Sequence, residues 1–75
     1  MTFTDMLPGL VEGRIYSQRI TKSDGNTYLQ DARYYLDGAG LIYARHEVTR
    51  LDSWYEKFTW NPNRHELIAD VWEEV

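Results

Sequence analysis

The chain contains no cysteine. No disulfide can staple it, no thiolate can act as a nucleophile, and a thiolate zinc site is excluded. Long apolar runs are also missing, so no membrane-spanning helix is expected, and no signal-peptide pattern is visible. Basic residues are outnumbered, eight to twelve, for a formal net charge of −4. That balance argues against a general DNA or RNA binder, which carries a basic face. It leaves room for a small anionic ligand held by a few arginines. With 75 residues there is length for one domain, 1–75. A domain of this size buries only ~60% of the surface its unfolded chain exposes. Aromatic residues are plentiful instead, at 15% of the chain: Trp54, Trp60, Trp72, six tyrosines, Phe3 and Phe58. So thin a body cannot hide them all, which leads us to expect a homo-oligomer in which some rings meet another copy. The missing cysteines also suit a reducing cytoplasm.

The pattern predicts an α+β fold: a short N-terminal helix, an antiparallel sheet built from hairpins, and a short C-terminal helix followed by a short strand. Thr4 reads as the N-cap of a helix reaching Glu12, with Met6, Leu7, Leu10 and Val11 at helical spacing and Gly13 as its end. Pro8 weakens or kinks that helix. Arg14 to Arg19 alternates like a strand. Ser23-Asp24-Gly25-Asn26 is a tight-turn signal, and Thr27 to Leu29 starts the return. Around Asp37-Gly38-Ala39-Gly40, Tyr34 and Leu36 share one face, as do Leu41 and Tyr43, so the two strands can pair across a hairpin. Glu47 to Leu51 is a candidate strand, and Tyr55 to Trp60 is a strand by composition. Asn61-Pro62 reads as a helix start, Asn61 as N-cap and Pro62 at the first helical position. Leu67, Ile68 and Val71 would form its apolar side.

A catalytic set is hard to assemble. Ser17, Ser23 and Ser53 stand in no nucleophile-elbow context. His46 and His65 have no metal-ligand partner at helical spacing and read as surface or capping residues. The acidic end, Asp70, Glu73 and Glu74, reads as a solvated face. No glycine-rich phosphate loop is present. Neither a catalytic residue, a metal nor a cofactor is expected, and binding is the expected mode of action.

The segment Trp60-Asn61-Pro62-Asn63-Arg64 allows two readings. One is an ordinary capped helix beside a core tryptophan. The other is a ligand site: the helix start favours an anion, Trp60 offers a stacking plane, Asn61 and Asn63 offer hydrogen bonds, and Arg64 offers a phosphate partner. Arg19 is a second phosphate partner, and Tyr28 completes the candidate set.

The two ends of the chain resemble the phage Thoeris anti-defence family of the second type. Met1-Thr2-Phe3, the helix that follows, and Glu12-Gly13 look like that family's opening. Trp60-Asn61-Pro62, Leu67-Ile68-Ala69-Asp70, Trp72 and the closing Val75 look like its ending. Val71 separates Asp70 from Trp72, where the family has an acidic residue and Trp adjacent. Ile20-Thr21-Lys22-Ser23-Asp24-Gly25 carries no counterpart of the family's Trp-Asn-Gly-type stretch. The resemblance implies a sponge: a homo-oligomer, commonly a tetramer, that holds a cyclic ADP-ribose-type immune signal between subunits, uncleaved, in the cytoplasm of the infected bacterium. The net charge supports another reading, an acidic phage protein that inhibits a host enzyme by direct contact. A third is a structural protein whose exposed rings serve self-association alone.

Overall fold

A computed structural model describes all residues, Met1–Val75. In chain order the elements are α1 (Phe3–Val11), β1 (Tyr16–Thr21), β2 (Thr27–Leu29), β3 (Ala32–Asp37), β4 (Gly40–Val48), β5 (Ser53–Thr59), α2 (Arg64–Ile68) and β6 (Trp72–Glu74). This is the expected α+β arrangement. All six strands join one antiparallel sheet in the hydrogen-bonded order β2-β1-β3-β4-β5, with β6 also on β1. No helix is long and apolar enough to cross a membrane.

Helix α1 begins two residues earlier than expected, because Thr2 and not Thr4 caps it. The Thr2 hydroxyl accepts from the Asp5 N–H and the Asp5 carboxylate accepts from the Thr2 N–H, so two free donors are satisfied reciprocally. These bonds favour the charged carboxylate and hold Asp5 below the ordinary carboxyl value. Pro8 lies inside the helix, which continues to Val11. Gly13, at φ +88°, turns the chain out of it.

The register explains how the sheet is laid out. β1 pairs with β2 through Arg19 and Leu29, and with β3 through Tyr16 and Tyr34. In an antiparallel ladder paired numbers keep a constant sum, yet here it rises from 48 to 50. Gln30 keeps the first register, its N–H donating to the Gln18 carbonyl at 2.8 Å, so the two extra residues bulge between Gln30 and Tyr34, and β2 and β3 are two halves of one bent strand along the same edge of β1. The Gln30 carbonyl accepts the buried Ser17 hydroxyl at 2.8 Å, which fixes the bulge.

The second hairpin has the expected register, Tyr34 opposite Tyr43 and Leu36 opposite Leu41. Glu47 and Val48 extend β4 and are not a separate strand. Thr49 to Asp52 form the turn, closed by the Thr49 N–H donating to the Asp52 carbonyl at 2.7 Å.

Opposed residues in a sheet share a face, so the register sorts the side chains into two sets. The helix-covered face carries Tyr16, Ala32, Tyr34, Leu36, Leu41, Tyr43 and Trp72. Here Met6 and Leu10 of α1 meet Tyr16, Ala32, Tyr34, Trp60 and Trp72 in the core. Tyr34 is the hub, with ring centroids 4.8 Å from Trp72, 4.9 Å from Trp60 and 5.1 Å from Tyr43. Aromatic pairs of this kind contribute ~0.5–1.5 kcal/mol each beyond the area they bury.

Helix α2 corrects the expected start. Its N-cap is Asn63, whose Oδ1 accepts from the Glu66 N–H at 2.8 Å, while Glu66 Oε1 accepts from the Asn63 N–H at 3.1 Å. Asn61 is exposed and caps nothing. Leu67 and Ile68 are also exposed, so the expected apolar side of α2 is not buried, and only Val71 packs on the core. Glu66 holds this corner together instead. Its Oε2 accepts the Trp60 indole N–H at 3.2 Å and its carbonyl accepts that of Trp72 at 3.0 Å.

The molecule is a thin plate, 38 × 38 × 20 Å. Its radius of gyration is 13.1 Å, against about 11 Å for a compact domain of this length. The accessible surface of 5271 Å² likewise exceeds the ~4,800 Å² of a typical monomer of this mass. β4 and β5 reach beyond the cover of α1, and every residue of β5 is exposed.

Candidate anion-binding face

The face of the sheet turned away from α1 has no helix over it. Across β3, β4 and β5 the register sets its side chains in three rows: Asp31, His46 and Tyr55; Arg33, Ala44 and Lys57; Tyr35, Ile42 and Thr59. Ala44 is a small floor and is buried, although no element covers it. Long neighbouring side chains must supply that cover, and Arg33 and Lys57 stand on either side of it in the same row.

Arg33 and Lys57 share a second property. Neither takes part in an ion pair, although the chain is acidic and its ion pairs engage the Met1 ammonium, Arg14, Arg19, Arg45 and His46. Arg33 lies over the Tyr55 ring at 5.6 Å and donates to its neighbour, the Ala32 carbonyl. Tyr55 also stacks on His46, centroids 4.9 Å apart. Two uncompensated cations, with aromatic rings in the rows on both sides, suit an anion that has a flat ring to stack.

The residues singled out in the sequence do not converge on one place. Trp60 is 6% exposed, with Phe3, Tyr34 and Trp72 against it and its N–H on Glu66. Its plane is not free for a ligand in the single chain, so the core-tryptophan reading holds. Asn63 is spent as a cap. Arg64 is exposed at the first position of α2, but a five-residue helix has little macrodipole to offer an anion. Arg19 is committed to Glu73 at 3.0 Å and to the Asp70 carbonyl at 2.9 Å. Tyr28 is 48% exposed, with the Lys22 ammonium 5.1 Å from its ring. It lies opposite Ile20, and therefore on the other face of the sheet from Arg19.

Sequence reasoning missed the Arg33-Ala44-Lys57 row. The alternation around the Asp37–Gly40 turn contained the signal for Arg33 and Ala44, since it fixes their pairing. Lys57 enters only through the β4–β5 register. His65 is exposed on α2, as expected. His46 is engaged at both ring nitrogens, Nδ1 to Asp31 Oδ2 at 2.7 Å and Nε2 to the Ser53 hydroxyl. The single chain has no pocket. No protein family, curated protein or solved structure matches the chain.

Proposed function

We propose that the chain is a binding protein that captures a cyclic ADP-ribose-type nucleotide signal and holds it unchanged. The single observation that carries this is the Arg33-Ala44-Lys57 row, with Tyr35 in the row beside it. Phosphates meet the two cations by charge-assisted hydrogen bonds of ~1.5–3 kcal/mol each. The base stacks on a tyrosine, at ~1–3 kcal/mol per base. The place of the stacking ring thus shifts from Trp60 to the open face. The resemblance at both chain ends supplies the ligand class and, with it, a phage protein acting in the cytoplasm of its bacterial host.

A flat face buries little of a ligand, whereas two such faces brought together enclose one. The plate shape and the surplus surface of 5271 Å² support assembly of several copies, a tetramer among them. Calorimetry with cyclic ADP-ribose, ADP-ribose and ATP tests the reading. Heat denaturation of the complex, followed by chromatography, should return the cyclic nucleotide intact. Absence of heat with all three ligands overturns it.

One observation favours a second reading, inhibition of a host enzyme by direct contact. β5 is a sheet edge that pairs only with β4, and its outer side is open to an added strand. A chain of this kind would bind no nucleotide and would co-purify with a protein partner.

A further inference from the structure

We propose that Asp31, His46 and Ser53 form a nucleophilic site in which Ser53 Oγ takes an acyl group from a small activated carboxylic ester. The proposal is independent of the nucleotide reading, because a cyclic nucleotide contains no carboxylic ester.

The arrangement follows from the sheet. The β3–β4 register, with Ala32 opposite Arg45, carries on by one residue to set Asp31 opposite His46, and the His46 N–H donates to the Asp31 carbonyl at 3.4 Å. Ser53, two residues before Tyr55 on β5, is the diagonal neighbour of His46 on the same face. The carboxylate of Asp31 only accepts hydrogen bonds, so the proton of a neutral His46 lies on Nδ1, pointing at Asp31 Oδ2 2.7 Å away. Nε2 then carries the free lone pair, and the Ser53 hydroxyl donates to it. This is the order of roles that serine acyl transfer uses: nucleophile, base, and a carboxylate that fixes the tautomer. Asp31 is the positioning residue. Tyr55, stacked on the imidazole at 4.9 Å, limits its rotation.

Ser53 is exposed, so a substrate can reach it. Donors for an oxyanion come from the sheet edge. The Thr49 N–H on the Asp52 carbonyl and the Trp60 N–H on the Leu41 carbonyl show that even-numbered residues of β5 point their backbone groups at β4. Odd-numbered residues therefore point outwards. The Ser53 N–H is taken by Asp52 Oδ1, which leaves the Tyr55 N–H as the first unpaired donor along the strand.

The chemistry needs no co-reactant but water. Ser53 Oγ attacks the carbonyl carbon while its proton passes to His46 Nε2. The bond from that carbon to the alcohol oxygen breaks, and the His46 proton goes to the leaving oxygen. Water then adds to the acyl-Ser53 with His46 again as base, releasing the carboxylic acid and restoring the hydroxyl.

The test uses p-nitrophenyl acetate with the intact protein, reading nitrophenolate release and the protein's mass. The expected result is a stoichiometric burst and an acetyl group on Ser53, with Ser17 and Ser23 unlabelled. Ser53→Ala should abolish the burst, and so should His46→Ala, with recovery on adding imidazole. Asp31→Asn should slow acylation at least tenfold, and Asp31→Glu should restore part of it. Circular dichroism of each variant keeps unfolding apart from lost chemistry, and His46→Gln serves if His46→Ala does not fold. An equal burst in Ser53→Ala, labelling spread over lysines and tyrosines, or no release above buffer overturns the proposal.

Discussion

The hydroxyl of Tyr16 occupies the space over Gly9 that any side chain at that position would need. Gly9 is thus the point where α1 comes down on the sheet, and Met6 and Leu10 are buried on the same side of the helix. Alanine is a better helix former than glycine by ~1 kcal/mol, so in an exposed helix Gly9→Ala would stabilise. Here the buried Tyr16 ring has nowhere to go, and an overpacked core costs ~1–3 kcal/mol. Gly9→Ala should therefore be net destabilising in urea unfolding. Adding Tyr16→Phe removes the nearest atom, so the double variant should be more stable than the sum of the single effects predicts. Strict additivity would show that the two residues do not meet.

Glu66 is at once the third residue of a capping box and the acceptor for the Trp60 indole, which is buried. Glu66→Ala loses the cap, at ~1 kcal/mol, and strands a buried N–H, at ~1–3 kcal/mol. The expected total is about 2–4 kcal/mol, with red-shifted tryptophan emission as the indole seeks water. Glu66→Gln keeps an acceptor oxygen and should cost less than half as much. Equal losses in the two variants would mean that charge, and not hydrogen bonding, holds this corner.

The same corner shows what the sequence made legible. The Asp37–Gly40 turn and the alternation of Tyr34, Leu36, Leu41 and Tyr43 are local, so the hairpin register could be read directly. The start of α2 was also written locally, in Asn63 and Glu66 three residues later. The Asn61-Pro62 pair was a competing signal, and the reciprocal bonds of the capping box decide for Asn63. The burial of Trp60 was one of two readings that the local sequence left open, because its neighbours Phe3, Tyr34 and Trp72 come from the far ends and the middle of the chain. The meeting of Asp31, His46 and Ser53 was not legible: the Asp37–Gly40 turn sets Asp31 opposite His46, but Ser53 enters only through the β4–β5 register. Arg19 looked free for a phosphate until β6 folded beside β1 and brought Glu73 to it.

Tyr34 makes the fold sensitive to alkali. Burial, and then the nearby Tyr43 and Glu66, push its hydroxyl up to about 12, although its bond to Gln30 Oε1 at 2.9 Å pulls the other way. The folded value lies above the unfolded one near 10, so the unfolded chain gives up this proton first. The stabilisation is complete below pH 10 and is lost as pH rises from about 10 towards about 12. Over that window the loss is on the order of 3 kcal/mol, since each pH unit between the folded and unfolded values is worth about 1.4 kcal/mol. Tyr34→Phe should flatten that part of the stability profile in denaturant titrations at pH 9 to 12. An unchanged alkaline slope would put the responsible group elsewhere.

The capture reading stands on two cations that have no carboxylate partner, and this separates binding variants from folding variants. Arg33→Ala and Lys57→Ala remove charge from an open face and uncover only the small Ala44 side chain, so thermal unfolding should change little. Each loses one charge-assisted contact to a phosphate, which at ~1.5 kcal/mol is roughly a tenfold rise in Kd. Raising the salt should weaken the parent protein more than Arg33→Ala, because exposed ion pairs are screened within ~10 Å at 0.1 M. Trp60→Ala should behave in the opposite way. It hollows the aromatic core, at ~3–5 kcal/mol, enough to unfold a domain of this size. Any binding lost with it then reports the fold and not the site. Calorimetry with cyclic ADP-ribose beside differential scanning fluorimetry reads both quantities on each variant. If Arg33→Ala and Lys57→Ala bind as the parent does, the ligand does not sit on this face. If Trp60→Ala stays folded and alone loses binding, the site lies at the end of β5, where the sequence first placed it.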